Sequence, residues 1–133
     1  MPDSMNALQA ALRKSVSSSW AQRARAGRDL AAFAEVPLAE EALARLLLDA
    51  SDTAVTRQTA EALARVGTVA AIRLIALAVA QADDNQGDWL QTGVQDAVLA
   101  PDSAPDVAAV CAQLAQDPDA NVRRGAARIS SWR

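Results

Sequence analysis

The 133-residue chain contains no histidine and no tyrosine, one cysteine, one phenylalanine and three tryptophans. Chemistry that needs an imidazole or a paired thiol is therefore absent. Nucleophile activation would fall to Asp, Glu, Lys or Arg, and neither Ser17-Ser18-Ser19 nor Ser130-Ser131 has a base at a recognisable spacing. The acidic stretch Asp83-Asp84-Asn85-Gln86-Gly87-Asp88 superficially suggests a calcium loop. It lacks the alternating oxygen ligands and the terminal Glu of that pattern. No metal, no cofactor and no enzymatic activity are expected. Gly and Pro number only five each and β-branched residues are sparse, whereas about a quarter of the chain is alanine, the best helix former. An all-α fold follows.

Long apolar runs are missing too. The most apolar stretch, Thr68 to Ala82, carries Arg73 and falls short of the roughly 20 apolar residues that a bilayer span needs. The N-terminus has neither the charged segment nor the unbroken apolar segment of a targeting peptide. No membrane association and a cytoplasmic location are expected. Composition at 51% hydrophobic and 22% charged can bury a core without disulfides, so one soluble domain over residues 1–133 is expected.

Positive charge is absent from a whole interval. No Lys or Arg lies between Arg73 and Arg123, where Asp83, Asp84, Asp88, Asp96, Asp102, Asp106, Asp117 and Asp119 fall. The ends are basic: Arg13, Lys14, Arg23, Arg25 and Arg28 near the start, and Arg123, Arg124, Arg128 and Arg133 at the finish. A net charge of -3 argues against generic nucleic-acid binding, which requires excess cations to release counterions. Several of the aspartates also stand at expected helix starts, where carboxylates cap free N–H groups. Capping does not account for the missing cations, which leaves a field suited to a basic partner.

Helical faces alternate with short breaks at Gly, Pro, Ser or Asp. The reading gives eight helices, at about 4–16, 20–34, 38–48, 53–66, 69–82 and 88–99, then one beginning near Pro101–Pro105 and one after Asp117-Pro118-Asp119. Met5, Leu8, Ala11, Leu12 and Val16 form the first apolar stripe. Val55, Thr59, Leu63 and Val66 form that of the fourth helix, and Leu90, Val94, Ala97 and Val98 that of the sixth. The fifth helix is apolar nearly all round, which marks a central element. Cys111, at helical spacing with Val107 and Leu114, reads as a small core residue. Trp20 and Trp89 read as packing residues.

The helices pair at about 4–34, 37–66, 68–99 and 102–131. Anchors at Gln22, Val55, Leu90 and Val122 in the second member of each pair are spaced roughly 33, 35 and 32 residues apart, within the range of helical-hairpin repeats. The run Leu114-Ala115-Gln116-Asp117-Pro118-Asp119-Ala120-Asn121-Val122-Arg123-Arg124-Gly125-Ala126-Ala127-Arg128 resembles the LxxDxDxxVRxxAA pattern of the bacterial HEAT-like repeat family of the phycobilisome-lyase type. Asp117 and Arg123 take its ladder positions. Leu47 to Gly67 is a second match, with Ala50 and Thr56 in place of the ladder Asp and Arg, while Leu90-Gln91 departs from the pattern in the third pair.

The resemblance implies an α-solenoid of about four hairpins in a right-handed superhelix. It also implies that the second helices line the concave face, turning Arg57, Glu61, Arg65, Asp96, Arg124 and Arg128 toward a groove. With Asp84 and Asp88 of the acidic interval, these are the candidate partner-binding residues. Trp132 joins them, because it lies on a final helix with no following repeat and such an end is open to dimerisation. The expected function is a non-enzymatic scaffold that binds another protein through the groove or the acidic third and fourth repeats. The alternatives are an immunity- or antitoxin-like inhibitor of a basic toxin, a lyase- or chaperone-like protein acting on a chromophore or modified protein, and a nucleic-acid-binding solenoid using its arginines.

Overall fold

The computed structural model describes residues 2–100 and 106–132. Pro101, Asp102, Pro105 and Arg133, used above, lie outside that range. Within it the chain forms α1 (Pro2–Lys14), α2 (Trp20–Leu30) with a 3-10 turn at Ala31–Phe33, α3 (Pro37–Leu47), α4 (Thr53–Val66), α5 (Val69–Gln81), α6 (Asp84–Val98), α7 (Val107–Leu114) and α8 (Ala120–Ser130). There is no strand among the described residues, and none of their helices is long and apolar enough to cross a membrane.

Side-chain caps set most helix starts. Ser19, Asp52, Thr68, Asp106 and Asp119 each accept a backbone N–H from the first turn that follows, and Pro37 opens α3 at a position where no N–H is needed. Gly67 closes α4 in the left-handed region at φ 68°, accessible to glycine without steric cost. The stretch expected as a loop before residue 88 is helical from Asp84. Asp83 and Gln86 form a reciprocal capping box that starts α6 a full turn early, despite the Asp, Asn and Gly in its first turn.

The helices meet where side chains vanish. Gly27 of α2 sits against the Thr59 side chain of α4, and Gly93 of α6 lies against the Arg57 carbonyl and Ala60 of α4. α4 is thus the shared member of a row α2, α4, α6, while α1, α3 and α5 touch in the same order behind it. The last pair departs from this order. α8 packs chiefly on α5, where Gly125 comes against the Ala76 backbone, and has no extensive contact with α6. α5 is accordingly covered on several sides, with Ala71, Ile72, Leu74, Ile75, Ala76, Ala78 and Val79 all buried.

The core joins Leu30, Leu43, Leu46, Leu47, Val55, Leu63, Ile72, Ile75, Leu90 and Val122 across hairpins. Cys111 is buried as expected, and burial pushes its thiol pKa up. Five apolar positions differ from the sequence reading. Met5 and Val16 are 61% and 70% exposed because no helix covers the outer side of α1, and Trp20, Val66 and Val98 lie at helix ends and are likewise exposed. Trp89 is half-buried.

Candidate docking surface

Two arginine–carboxylate clamps hold successive hairpins in register. Arg23 of α2 reaches Asp49, in the turn between α3 and α4, through two hydrogen bonds of 2.9 and 3.2 Å. Arg73 of α5 reaches Asp117, before α8, at 3.0 and 3.4 Å. Each carboxylate also accepts backbone N–H groups of its own turn, Asp49 from Ser51 and Asp52, and Asp117 from Asp119. The linking carboxylate before α4 is Asp49 and not position 50. The turns before α4 and α8 are equally long, but Asp49 falls three residues ahead of the N-cap Asp52, whereas Asp117 falls two ahead of Asp119. Arg123 does not pair with Asp117; it donates to the Asp117 and Pro118 carbonyl oxygens at 2.7 and 3.0 Å.

The Arg73 hydrogen bond, aided by the Asp119 amide, holds the Asp117 carboxyl below its usual range. At Asp49 burial alone would raise the value, but hydrogen bonds from Arg23 and the turn amides outweigh it and the net displacement is downward. Both contributions to stability are complete above the unfolded carboxyl pKa of about 3.9 and are lost as pH falls through the lower folded values. The clamps thus hold at neutral pH and open in acid.

Between α2 and α4 lies a groove of about 470 Å³ whose lining includes Arg28, Arg57, Gln58, Glu61 and Arg65 above Ala31, Ala62 and Val66. Its charges are largely spent on one another. Arg57 lies 3.8 Å from Glu61 and 3.4 Å from Asp96 of α6, Arg65 pairs with Glu61 at 3.1 Å, and Arg28 bonds the Gln58 side chain. Such exposed pairs contribute little to stability. For recognition they offset the charge of Arg57 and Arg65, while Arg28 meets the uncharged Gln58 amide. Arg57, Glu61, Arg65 and Asp96 are therefore brought together as the sequence suggested, but Arg124 and Arg128 are not. Arg124 bonds Asn121 on its own helix, and the Arg128 guanidinium lies over Gly87 of α6. The rotation of α8 onto α5 takes both away from the groove.

The acidic interval has a different character. Asp83, Asp106 and Asp119 are helix caps, Asp117 is in a clamp and Asp96 faces Arg57. Asp84 and Asp88, one turn apart on α6, are exposed and form no ion pair among the described residues. Trp132, at the far end of α8, is partly buried against the core and forms part of the wall of a second cleft between α6, α7 and α8. Sequence reasoning missed Arg23, Asp49 and Arg73 as linking residues. The available signal was an arginine shortly after the N-cap, four residues on in α2 as Arg123 is in α8, and five residues on in α5.

Among the described residues no group of His, Cys, Asp or Glu is arranged to hold a metal ion. No family model matches the chain, and no curated protein or solved structure matches it either.

Proposed function

We propose that this chain is a non-enzymatic docking module, a HEAT-like stack of helical hairpins whose acidic surface on α6 and the segments that follow receives a basic protein. The supporting observation is the conjunction of a stretch from residue 74 to 122 without Lys or Arg and the exposed Asp84 and Asp88 on α6, which form no ion pair among the described residues. A carboxylate already committed to a cap or clamp gives up part of its interaction when a ligand competes for it. Asp84 and Asp88 have no such commitment to an ion pair. The adjoining caps add negative potential without being displaced, which speeds encounter with a positive partner and penalises acidic ones. The arginine groove is the weaker candidate because Arg57 and Arg65 are already engaged with Glu61 and Asp96. An inhibitor that covers a basic enzyme is one form of this activity, and it needs no chemistry from the module itself.

The test is co-purification of the tagged chain from cells. The bound protein should be basic and should dissociate as salt rises from about 0.1 M toward 1 M, where the screening length shrinks to about 3 Å. Asp84→Lys with Asp88→Lys should weaken the purified complex by about a hundredfold or more, as expected when two charges facing the partner are reversed. Binding that ignores both salt and the double reversal would overturn the reading.

A further inference from the structure

Beside the acidic surface, the C-terminal half of α6, the first half of α7 and the end of α8 line a cleft of about 410 Å³. Its walls are Val94, Val98, Leu99, Val107, Cys111, Ile129 and the indole of Trp132, and only Gln95, Asp106 and Ser130 bring polar side chains to it. A volume of several hundred cubic ångströms, mostly apolar walls and a few placed polar groups are the marks of a small-molecule site. A surface dimple between helices would be shallower and wetter.

We infer that this cleft binds a small apolar cation, an aromatic or branched-aliphatic amine whose hydrocarbon body lies between α6 and α7 and whose ammonium group faces Asp106 and Trp132. The charge preference comes from the lining. Among the described lining residues Asp106 is the one ionised group and none is Lys or Arg. One carboxylate oxygen of Asp106 caps α7 by accepting the Ala109 N–H at 3.0 Å, which fixes the side chain's direction and leaves its second oxygen to receive a donor. Trp132 among the lining residues adds the means of cation–π attraction for an ammonium ion, strongest with an indole. The apolar body has an equally defined seat. Val98 and Leu99 are 45% and 79% exposed, so filling the cleft removes from water apolar surface that the folded chain leaves uncovered. An anionic ligand of the same shape would bring its carboxylate against Asp106 with no Lys or Arg among the described lining residues to offset it. This site is independent of the basic-protein reading: it uses Asp106 and the cleft walls, while that reading rests on Asp84 and Asp88.

The experiment compares 1-naphthylmethylamine with 1-naphthylacetate, which share a ring and differ in charge, by titrating each into the full chain and following amide and indole N–H resonances. The amine should shift the Trp132 indole and the amides of Val98 and Cys111 in a saturable way and bind at least about tenfold more tightly than the acid. Asp106→Asn keeps a good helix cap and should reduce that preference to less than about threefold. Ala108→Trp, on the exposed side of α7 at the cleft, should abolish binding of both compounds while α8 and its neighbours keep their resonances. Shifts elsewhere in the molecule, equal affinity for the two compounds, a preference that survives Asp106→Asn, or no binding at millimolar concentration to the folded chain would overturn the assignment.

Discussion

Gly125→Ala should be among the most destabilising single-methyl changes in the protein, lowering the unfolding free energy by about 2–3 kcal/mol. In an exposed helix interior the same change usually gains about 0.5–1 kcal/mol, because alanine restricts the unfolded chain and favours the helix. At Gly125 the added carbon would stand 1.8 Å from the Ala76 carbonyl oxygen and 2.5 Å from its carbon. Both are backbone atoms of the most buried helix, so neither can rotate aside and α8 must lift off α5. Gly87 supplies the control. Its added carbon would meet only the Arg128 guanidinium, at 2.9 Å, the far end of a flexible side chain. Gly87→Ala should therefore be neutral or stabilising by about 0.5 kcal/mol. Denaturant unfolding of the two variants reads the difference, and a Gly125→Ala protein as stable as the parent would mean that α5 and α8 do not touch in this way.

Leu63→Ala carries the second large effect, a loss of about 3 kcal/mol and a fall in melting temperature of roughly 10 °C. Leu63 is fully buried on α4, the helix that packs against both α2 and α6. Rigid neighbours on both sides cannot collapse into the space of the missing side chain, and the residual cavity adds to the lost transfer energy. Leu99→Ala removes the same atoms from a position 79% exposed and should change stability by less than about 0.5 kcal/mol. Similar losses at the two positions would contradict the placement of α4 between α2 and α6.

The helices themselves were readable because their signals are local. Helices α2 to α8 each begin at a side-chain cap or N-terminal proline set by one or two residues, and the all-round apolarity of α5 marked it as the central element. Errors arose where two local signals competed. Asp83 and Gln86 make a capping box, yet the surrounding Asp, Asn and Gly read as loop. Gln22 was the wrong anchor for α2. It is exposed, and the buried set is Ala24, Ala26, Gly27 and Leu30.

The long-range errors have another cause. Gly125 and Ala126 offer α8 a small-residue face that any neighbouring helix can meet closely, so sequence alone did not choose α5 over α6. That choice moves Arg124 and Arg128 away from Arg57 and Arg65, and it leaves space beside α6 for the cleft ending at Trp132. Asp49 and Arg23 escaped notice because the carboxylate sits one residue earlier in its turn than Asp117 does, off its pattern position.

The position of α8 connects these results: against α5 it creates the cleft and separates its arginines from the groove, leaving the acidic surface as the charged face available for docking. Nuclear Overhauser contacts of the Gly125 α-protons, measured on the isotopically labelled chain, test that position most directly. Cross-peaks to Ala76 on α5, with none from the centre of α8 to Val94 or Ala97 on α6, are the predicted result. Contacts from Gly125 and Ala126 to the middle of α6 would place α8 in the row of α2, α4 and α6 and contradict it.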